Sequence, residues 1–323
     1  MGCRVGAIPD ELVTFLACFT KNAFTDERGT PGALDYGISN HSRTPVQRCL
    51  ITAALALALA PIASAQRVDT SGVSKTFLNR RDLAYTGIAL VATGVLSHWD
   101  PQIARWSQKS RTSDPVTGKS TDGLSRFSTK VSKVNETTLT AAGIVTYGAA
   151  RLFHAPMVTD VALHATESVV LASIASQLIR GPLGRTRPYV SRDSDQYKFK
   201  PFRGFYGDSS FDYRSFPSIH TSSSMAVATV LSMEINRRHP DATPYVAPLL
   251  FAAGMLPGLA RIRLDQHWSS DIAAGAFMGV LSGYKVVNYS HGHPDNKFDK
   301  LFLSASVAPT ANGGMALAFN QPF

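Results

Sequence analysis

Residues 260–271 read ARIRLDQHWSSD, which sets Arg261 six residues before His267 and His267 four residues before Asp271. Imidazole is the side chain best suited to act as nucleophile and proton carrier near neutral pH. A carboxylate one helical turn away can hold its second nitrogen in a single tautomer. Arginine adds a fork of donors for an oxyanion. The same residues also fit the start of a surface helix with an ordinary histidine and an i,i+4 polar pair, so the choice between the two rests on the rest of the chain.

Upstream lie two further helix boundaries with the same flavour. The string RGPLGRTRPYV (180–190) holds Arg180 and Arg187 seven apart around Gly181, Pro182 and Gly184, and Pro188 closes the turn. A basic helix C-terminus would account for Arg180 through the helix dipole, and for Arg187 less well. The string FPSIHTSSSMAVATVLSMEI (216–235) begins a helix with Ser218 near the N-cap and His220 in the first turn. Free backbone N–H groups at such a start form a seat for phosphate. Taken alone, His220 reads more readily as a solvent-facing polar residue. The segment between, 190–216, carries Tyr197, Phe199, Phe202, Phe205, Tyr206, Phe211 and Tyr213; a loop of that length in a compact domain suggests a lid or rim over a site.

Around these motifs the chain is mostly apolar helix. Of 323 residues, 44% are hydrophobic, enough for a sizeable buried core and too many for a disordered chain. The net charge of +9 is spread along the sequence. It suits an anionic substrate or a membrane surface at least as well as nucleic acid, for which no motif is present. Helices are expected at 83–97, read as buried, then at 136–153 and 159–179, with an exposed connection over 101–135 that has room for a short helix. Asp160, His164 and Glu167 lie too far inside the third of these for a comfortable lipid-facing helix. The uncharged run 242–260 is the strongest transmembrane candidate, though a buried helix in a soluble bundle explains it as well, and Pro244, Pro248 and Pro257 predict that it is kinked or broken. The last helix, 269–287, lines Gly275, Gly279 and Gly283 along one face, which admits a closely packed neighbour. At the C-terminus, alternating segments around Asn312-Gly313-Gly314 predict a β-hairpin.

The first 65 residues read as a separate extension. Arg43 and Arg48 precede an apolar run of 11 residues, 50–60, and then Ala63-Ser64-Ala65, the layout of a secretory signal cleaved before Gln66. Removing 1–65 takes away all three cysteines, Cys3, Cys18 and Cys49, and leaves the net charge at +9. The expected organisation is an extension with signal peptide (1–65), a helical domain (66–290) and a tail with a hairpin (291–323). The fold class is all-α, a helical bundle with a short C-terminal β-hairpin.

In order, the three boundaries give Arg-x6-Arg-Pro, Pro-Ser-x-His and Arg-x5-His-x3-Asp. This three-part pattern resembles the signature of the type 2 phosphatidic acid phosphatase (PAP2) superfamily, which includes bacterial nonspecific acid phosphatases and vanadium haloperoxidases. The resemblance covers roughly residues 83–288. Arg180 stands where lysine is usual, Ile219 where glycine is usual, and Ala260 where serine is usual. An arginine in place of lysine keeps the charge but presents a planar fork, and the Ile219 amide can still face phosphate if the residue needs no positive φ.

The resemblance implies a metal-independent phosphatase acting on phosphate monoesters: a lipid phosphate, an isoprenoid pyrophosphate or a soluble ester. His267 would attack phosphorus to form a phosphohistidine, Asp271 would fix its tautomer, and His220 would protonate the leaving oxygen. Arg180, Arg187, Arg261, Ser218 and the amide of Ile219 would hold the phosphate. No cofactor is implied, though vanadate would mimic phosphate in the same cradle. Two alternatives stand beside this reading, a vanadium-dependent haloperoxidase and a noncatalytic envelope protein that binds anions. The sequence holds no metal-ligand motif such as His-Glu-x-x-His or Cys-x2-Cys. The cleavable signal and the interior charges favour a periplasmic protein over a membrane-integrated one with an outward-facing site. Substrate identity and oligomeric state are left open by these residues. N-terminal sequencing of exported protein should begin at Gln66; material beginning before Arg43 would contradict the signal.

Overall fold

The computed structural model describes residues 77–113, 121–293, 296 and 299, together with the backbone of two strands. The expected signal and its cleavage site lie outside the described residues, as does the Asn312-Gly313-Gly314 turn. The helices in chain order are α1 (Arg80–Ser97), α2 (Asp100–Gln108), α3 (Gly123–Val131), α4 (Glu136–Leu152), α5 (Pro156–Leu183), α6 (Pro188–Ser191), α7 (Ile219–Arg238), α8 (Thr243–Arg263) and α9 (Ser269–Gly292). Near the C-terminus β1 (Ala305–Pro309) pairs antiparallel with β2 (Met315–Phe319).

Helix α7 is the central element, packed by α4, α5, α8 and α9. Its sequence is rich in Ser, Thr and Ala and is buried around most of its circumference. Small side chains let four neighbours approach, and several of their hydroxyls find partners within the bundle. Thr229 Oγ1 donates to the Met225 carbonyl (2.8 Å), Ser222 pairs with Ser176 (3.0 Å), and Ser224 Oγ donates to the Gly254 carbonyl (2.5 Å). Met225 and Ala228 pack with Ala247 and Phe251 of α8 and with Ala276 and Val280 of α9.

The glycine face expected on α9 meets α7. A Cβ at Gly275 would lie 2.4 Å from the Ser218 carbonyl oxygen, and one at Gly279 would lie 2.3 Å from that of Ser222. At Gly283 it would meet Thr229 Cβ at 2.8 Å. The two helices therefore run parallel in close backbone contact, with 275 beside 218 and 283 beside 229.

Three expectations need correction. The 83–97 helix is an outer one: Leu83, Ile88, Leu90, Val91 and Val95 of α1 are exposed, and among its residues only Asp82, Thr93, Leu96 and Ser97 are buried. The connection 101–135 contains two helices, α2 and α3. The latter is capped by Asp122, which accepts from the Ser125 amide (2.7 Å). Helix α8 runs unbroken through its prolines. Pro244 lies in the first turn, where no N–H is needed. Pro257 is buried, and Ser224 bonds to the nearby Gly254 carbonyl, so packing on α7 outweighs the lost ladder bonds.

The interior charges of α5 also acquire a different meaning. His164 is buried and directed at α7, while Met157, Val158, Val170, Ile174 and Leu178 are exposed on the outside of the same helix. The polar residues thus do not argue against an apolar environment. Two helices, Pro156–Leu183 and Pro240–Arg263, are long and apolar enough to cross a membrane, and in each only 39% of the most apolar window is buried. Most of both helices therefore faces outward.

The α7–α9 contact yields a mutational test. Gly279→Ala should cost about 1–3 kcal/mol, because the methyl would overlap a backbone oxygen that cannot move aside. Gly148→Ala on α4 meets nothing within 4 Å and should be neutral or gain up to about 1 kcal/mol from helix propensity. Thermal unfolding of the two variants measures the difference, and equal melting temperatures would refute the close packing.

Candidate active site

The three motif-bearing helix ends meet at one end of the bundle. Helix α5 stops at Gly184, whose φ of 64° is left-handed and whose Cβ position lies 1.8 Å from the Lys200 carbonyl oxygen, so only glycine fits this cap. The stop places Arg180 in the last turn and leads to Arg187 just before α6. Arg180 Nη2 donates to the Arg214 carbonyl (2.7 Å). Arg187 is fully buried; its Nε donates to the Phe211 carbonyl (2.9 Å), its Nη1 to the Gln266 carbonyl (2.8 Å), and its guanidinium lies over the Phe211 ring at 3.9 Å. Arg261, in the last turn of α8, reaches Gln266 Oε1 (3.3 Å).

Ser218 caps α7 and is fully buried, with its amide donating to the Asp271 carbonyl (3.0 Å). Ile219 is not among the positive-φ residues, so the side chain that replaces the usual glycine causes no backbone strain. As the first residue of a helix, its amide has no intrahelical acceptor. His220 and His267 face one another with ring centroids 6.2 Å apart.

All eight residues singled out in the sequence are therefore gathered at this end, but the His267–Asp271 pairing is looser than expected. His267 Nδ1 is 3.5 Å from Asp271 Oδ2, longer than a well-formed hydrogen bond. Asp271 is already engaged. Oδ1 accepts from Arg185 Nη1 (2.6 Å), and Oδ2 accepts from Ser215 Oγ (2.5 Å) and the Trp268 amide (2.8 Å).

Arg185, Asp100 and Ser215 are site residues that the sequence motifs did not single out. Arg185 is buried between two carboxylates, donating to Asp271 on one side and to Asp100 Oδ2 (2.8 Å) on the other. Asp100 in turn accepts from the Ser270 amide (2.8 Å) and the Ser269 hydroxyl (2.6 Å), capping α9. Arg185 lies inside the quoted Arg-x6-Arg string, but its partner at 100 is 85 residues away, so no local spacing reveals the pair.

The site is electrically lopsided. Arg180, Arg187 and Arg261 converge, with Glu136 close enough to Arg180 and Arg261 to offset part of their charge and Asp271 engaged by Arg185. Among the two histidines and these three arginines, five buried nitrogens have no partner: Nε of Arg180, Nε of Arg261, Nδ1 of His220, and both ring nitrogens of His267. Burial pushes the His220 imidazole down to about 2, with the Arg261 guanidinium, His267, Arg187 and Arg180 adding repulsion. His267, fully buried, is driven well below the usual imidazole range by desolvation and then by Arg187, Arg261 and Arg180. Both imidazoles are therefore neutral at neutral pH in the anion-free protein. A bound anion would cancel the repulsion and raise both pKa values. Arg187 is likewise pushed down by burial and by Arg261 and Arg180.

Binding of sulfate, which keeps its two charges across the range, should therefore be accompanied by net proton uptake near pH 6. Calorimetry in buffers of different ionisation heat measures this, and uptake should fall in His220→Asn. Without anion, the sign for stability is the reverse of the usual histidine case. Each depressed imidazole adds stability above about pH 6.5 that declines by about 1.4 kcal/mol per unit as pH falls below it. Sulfate binding with no proton uptake would refute this electrostatic account.

Comparison with known proteins agrees with the three-part pattern. The family model for the PAP2 superfamily matches residues 161–294. Similar curated proteins are lipid A 1-phosphatases. That of Porphyromonas gingivalis is 33% identical over 69 residues, covering 21% of this chain and 15% of that protein. That of Rhizobium etli is 26% identical over 124 residues, covering 38% and 48%, and that of Rhizobium johnstonii is 27% identical over 113 residues, covering 35% and 41%. The chain thus spans less than half the length of these relatives. A transmembrane PAP2-type phosphatidylglycerolphosphate phosphatase from Bacillus subtilis aligns at 18% identity with a TM-score of 0.43, over 65% of this chain and 94% of that one. The segment that matches the PAP2 superfamily model, 161–294, carries the three helix boundaries from Arg180 to Asp271.

Proposed function

We propose that the protein is a membrane-associated phosphatase that removes phosphate from a lipid through a phosphohistidine, without a catalytic metal. The observation that carries this is the set of unpartnered buried nitrogens on two arginines and two histidines at one helix-end site. Buried polar groups without partners are costly, and five in one place mark a seat for a multiply charged oxyanion. A neutral imidazole facing such a seat is a nucleophile, and a second neutral imidazole acquires its proton when the anion arrives.

In the proposed reaction His267 Nε2 attacks phosphorus as the bond to the leaving oxygen breaks, and His220 gives that oxygen its proton. Water then attacks the phosphohistidine, losing a proton to His220 and releasing phosphate from His267. Arg180, Arg187 and Arg261, with the hydroxyl of Ser218 and the amide of Ile219, stabilise the charge spread over the three equatorial oxygens. The role of Asp271 is to stabilise His267 as it becomes cationic, which requires the 3.5 Å separation to shorten in the reacting complex.

A lipid substrate is supported by the outer surface. The outward side chains of α1, α4, α5 and α8 include many large apolar ones, among them Leu83, Val91, Val145, Leu178 and Leu249, and exposed apolar surface of this kind suits contact with lipid. The aromatic rim, with Tyr197, Phe202, Phe205 and Tyr206 exposed beside the site, extends it. Lipid A 1-phosphate is the substrate class that the relatives' names suggest, and a site facing the periplasm accords with the secretory signal.

The test is phosphate release from lipid A, phosphatidate and a soluble aryl phosphate, with washed membranes and soluble fractions assayed separately, and with and without EDTA. Activity should stay with the membranes, favour lipid esters, resist EDTA and be inhibited competitively by vanadate. His267→Ala should abolish turnover of every ester. His220→Ala should slow the first step for alkyl esters at least 10-fold more than for the aryl ester, whose leaving group needs little protonation. Labelled phosphohistidine trapped by acid quench in His267→Ala would rule out this nucleophile.

A further inference from the structure

At the other end of α7 lies a second polar cluster that the reaction does not use. Asp160 and His164 of α5, Glu234 of α7 and His291 of α9 place one ligand atom each within 4.8 Å of one another. His164 and Glu234 are almost wholly buried, at 1% and 2% exposure. His164 Nδ1 is 3.3 Å from Glu234 Oε1, and His291 Nε2 is 2.7 Å from the same oxygen. His164 Nε2 is 3.6 Å from Asp160 Oδ1, and the two imidazoles sit edge to face at 5.2 Å.

Arg238 holds the other oxygen of each carboxylate. Its Nη1 pairs with Glu234 Oε2 and its Nη2 lies 3.5 Å from Asp160 Oδ2. The guanidinium thus turns Oε1 and Oδ1 toward the imidazoles, as an outer partner orients a metal ligand. Charge supplies a second, independent observation. Glu167, one turn along α5, lies close to both His164 and Asp299. Asp299 is buried, and Glu167 Oε1 and Asp299 Oδ1 have no hydrogen-bond partner. Arg238 is taken up by Glu234 and Asp160, and the carboxyl groups of Glu167 and Asp299 lie beside the same imidazole. A cation among these buried acids would be favoured by charge.

We propose that Asp160, His164, Glu234 and His291 bind a divalent transition-metal ion of the zinc class. Two imidazoles and two carboxylates suit a borderline metal better than calcium or magnesium, which prefer all-oxygen sites. Bonds of about 2.0–2.1 Å place tetrahedral ligand atoms roughly 3.3–3.5 Å apart, and the observed separations bracket that value. The ion would clamp α5, α7 and α9 together. It takes no part in hydrolysis, since Glu234 lies 14 residues along α7 from His220, about 21 Å at 1.5 Å per residue. No local motif announces the site, because its ligands come from three helices.

The test uses the full chain, stripped with EDTA and dialysed. Titration with Zn²⁺ should show one high-affinity equivalent and raise the melting temperature. Co²⁺ should give the intense visible absorption of a four-coordinate site. His291→Ala and Asp160→Asn alter side chains that are partly exposed, at 21% and 25%, and should leave a folded protein. Each should lower Zn²⁺ affinity at least 10-fold and abolish the Co²⁺ spectrum, while ester hydrolysis below the melting transition is unchanged. Stoichiometric binding that persists unaltered in both variants would place the metal elsewhere. Absence of saturable Zn²⁺ and Co²⁺ binding in the parent would show that protons and Arg238 alone balance the cluster. Either result overturns the proposal, and neither bears on the phosphatase reading.

Discussion

Three guanidinium groups held out of water beside two neutral imidazoles repel one another, and the rest of the molecule is arranged to keep them there. Arg187 shows how. It is immobilised by the carbonyls of Phe211 and Gln266 and by the face of the Phe211 ring, so its position does not depend on a bound anion. Backbone carbonyls neutralise part of its charge without adding a carboxylate that would compete with substrate. The buried acid of the site, Asp271, is kept from collapsing onto the cradle by its bonds to Arg185, Ser215 and the Trp268 amide. Repulsion among the cationic groups is therefore available to a ligand, which relieves it on binding. That is the condition for electrostatic catalysis that needs no reorganisation at the moment of reaction.

Holding the histidines opposite one another requires a fixed register between α7 and α9, with α9 beginning ahead of α7 along their shared direction. The glycine face of α9 achieves this by setting backbone against backbone, with Gly275 at Ser218 and Gly279 at Ser222. Asp100 and Arg185 then tie the start of α9 to α2 and to the segment after α5. Three motifs far apart in sequence are thereby brought together by one helix contact and one buried ion network. The contact uses small residues and the network uses charge, and each would be insufficient alone: bare glycine packing leaves rotation about the helix axes open, and an ion network without packing leaves water access.

The helical class, the positions of α4, α5, α7, α8 and α9, and the gathering of Arg180, Arg187, Ser218, Ile219, His220, Arg261, His267 and Asp271 were legible in the sequence. Each motif straddled a helix boundary, and boundaries carry local chemical signals such as Gly184 and Ser218. What was not legible depended on orientation or on distant pairing. Apolar periodicity in α1 could not say whether its Leu and Val side chains faced a core or the outside, because a uniformly apolar helix satisfies both. Prolines in α8 gave a local signal of breakage that tertiary contact overrode. Arg185 was hidden in plain view, since its role follows only from Asp100. The interior charges of α5 were read against a lipid-facing helix, yet His164 turns inward to Glu234 and leaves the outer face apolar.

The polarity of the helices connects the two ends of the bundle. Helices α7 and α9 run parallel, so both N-termini, with His220 and Asp271 in their first turns, lie at the cationic site. Their C-terminal portions bring Glu234 and His291 together at the acidic cluster. Helix α5 runs the other way, with Asp160 and His164 near its start and Arg180 in its last turn. Parallel helices in contact align their dipoles unfavourably, and the unfavourable alignment is offset when the N-terminal end receives an anion and the C-terminal end a cation. A phosphate at one end of α7 and α9 satisfies the first condition, and positive charge beside Glu234 satisfies the second. Arg238 supplies part of that positive charge, and the carboxyl groups of Glu167 and Asp299 lie beside His164 at the same end of the bundle. The same helix alignment that builds an anion seat at His220 thus favours a cation about 21 Å away, so the two sites are consequences of one packing arrangement.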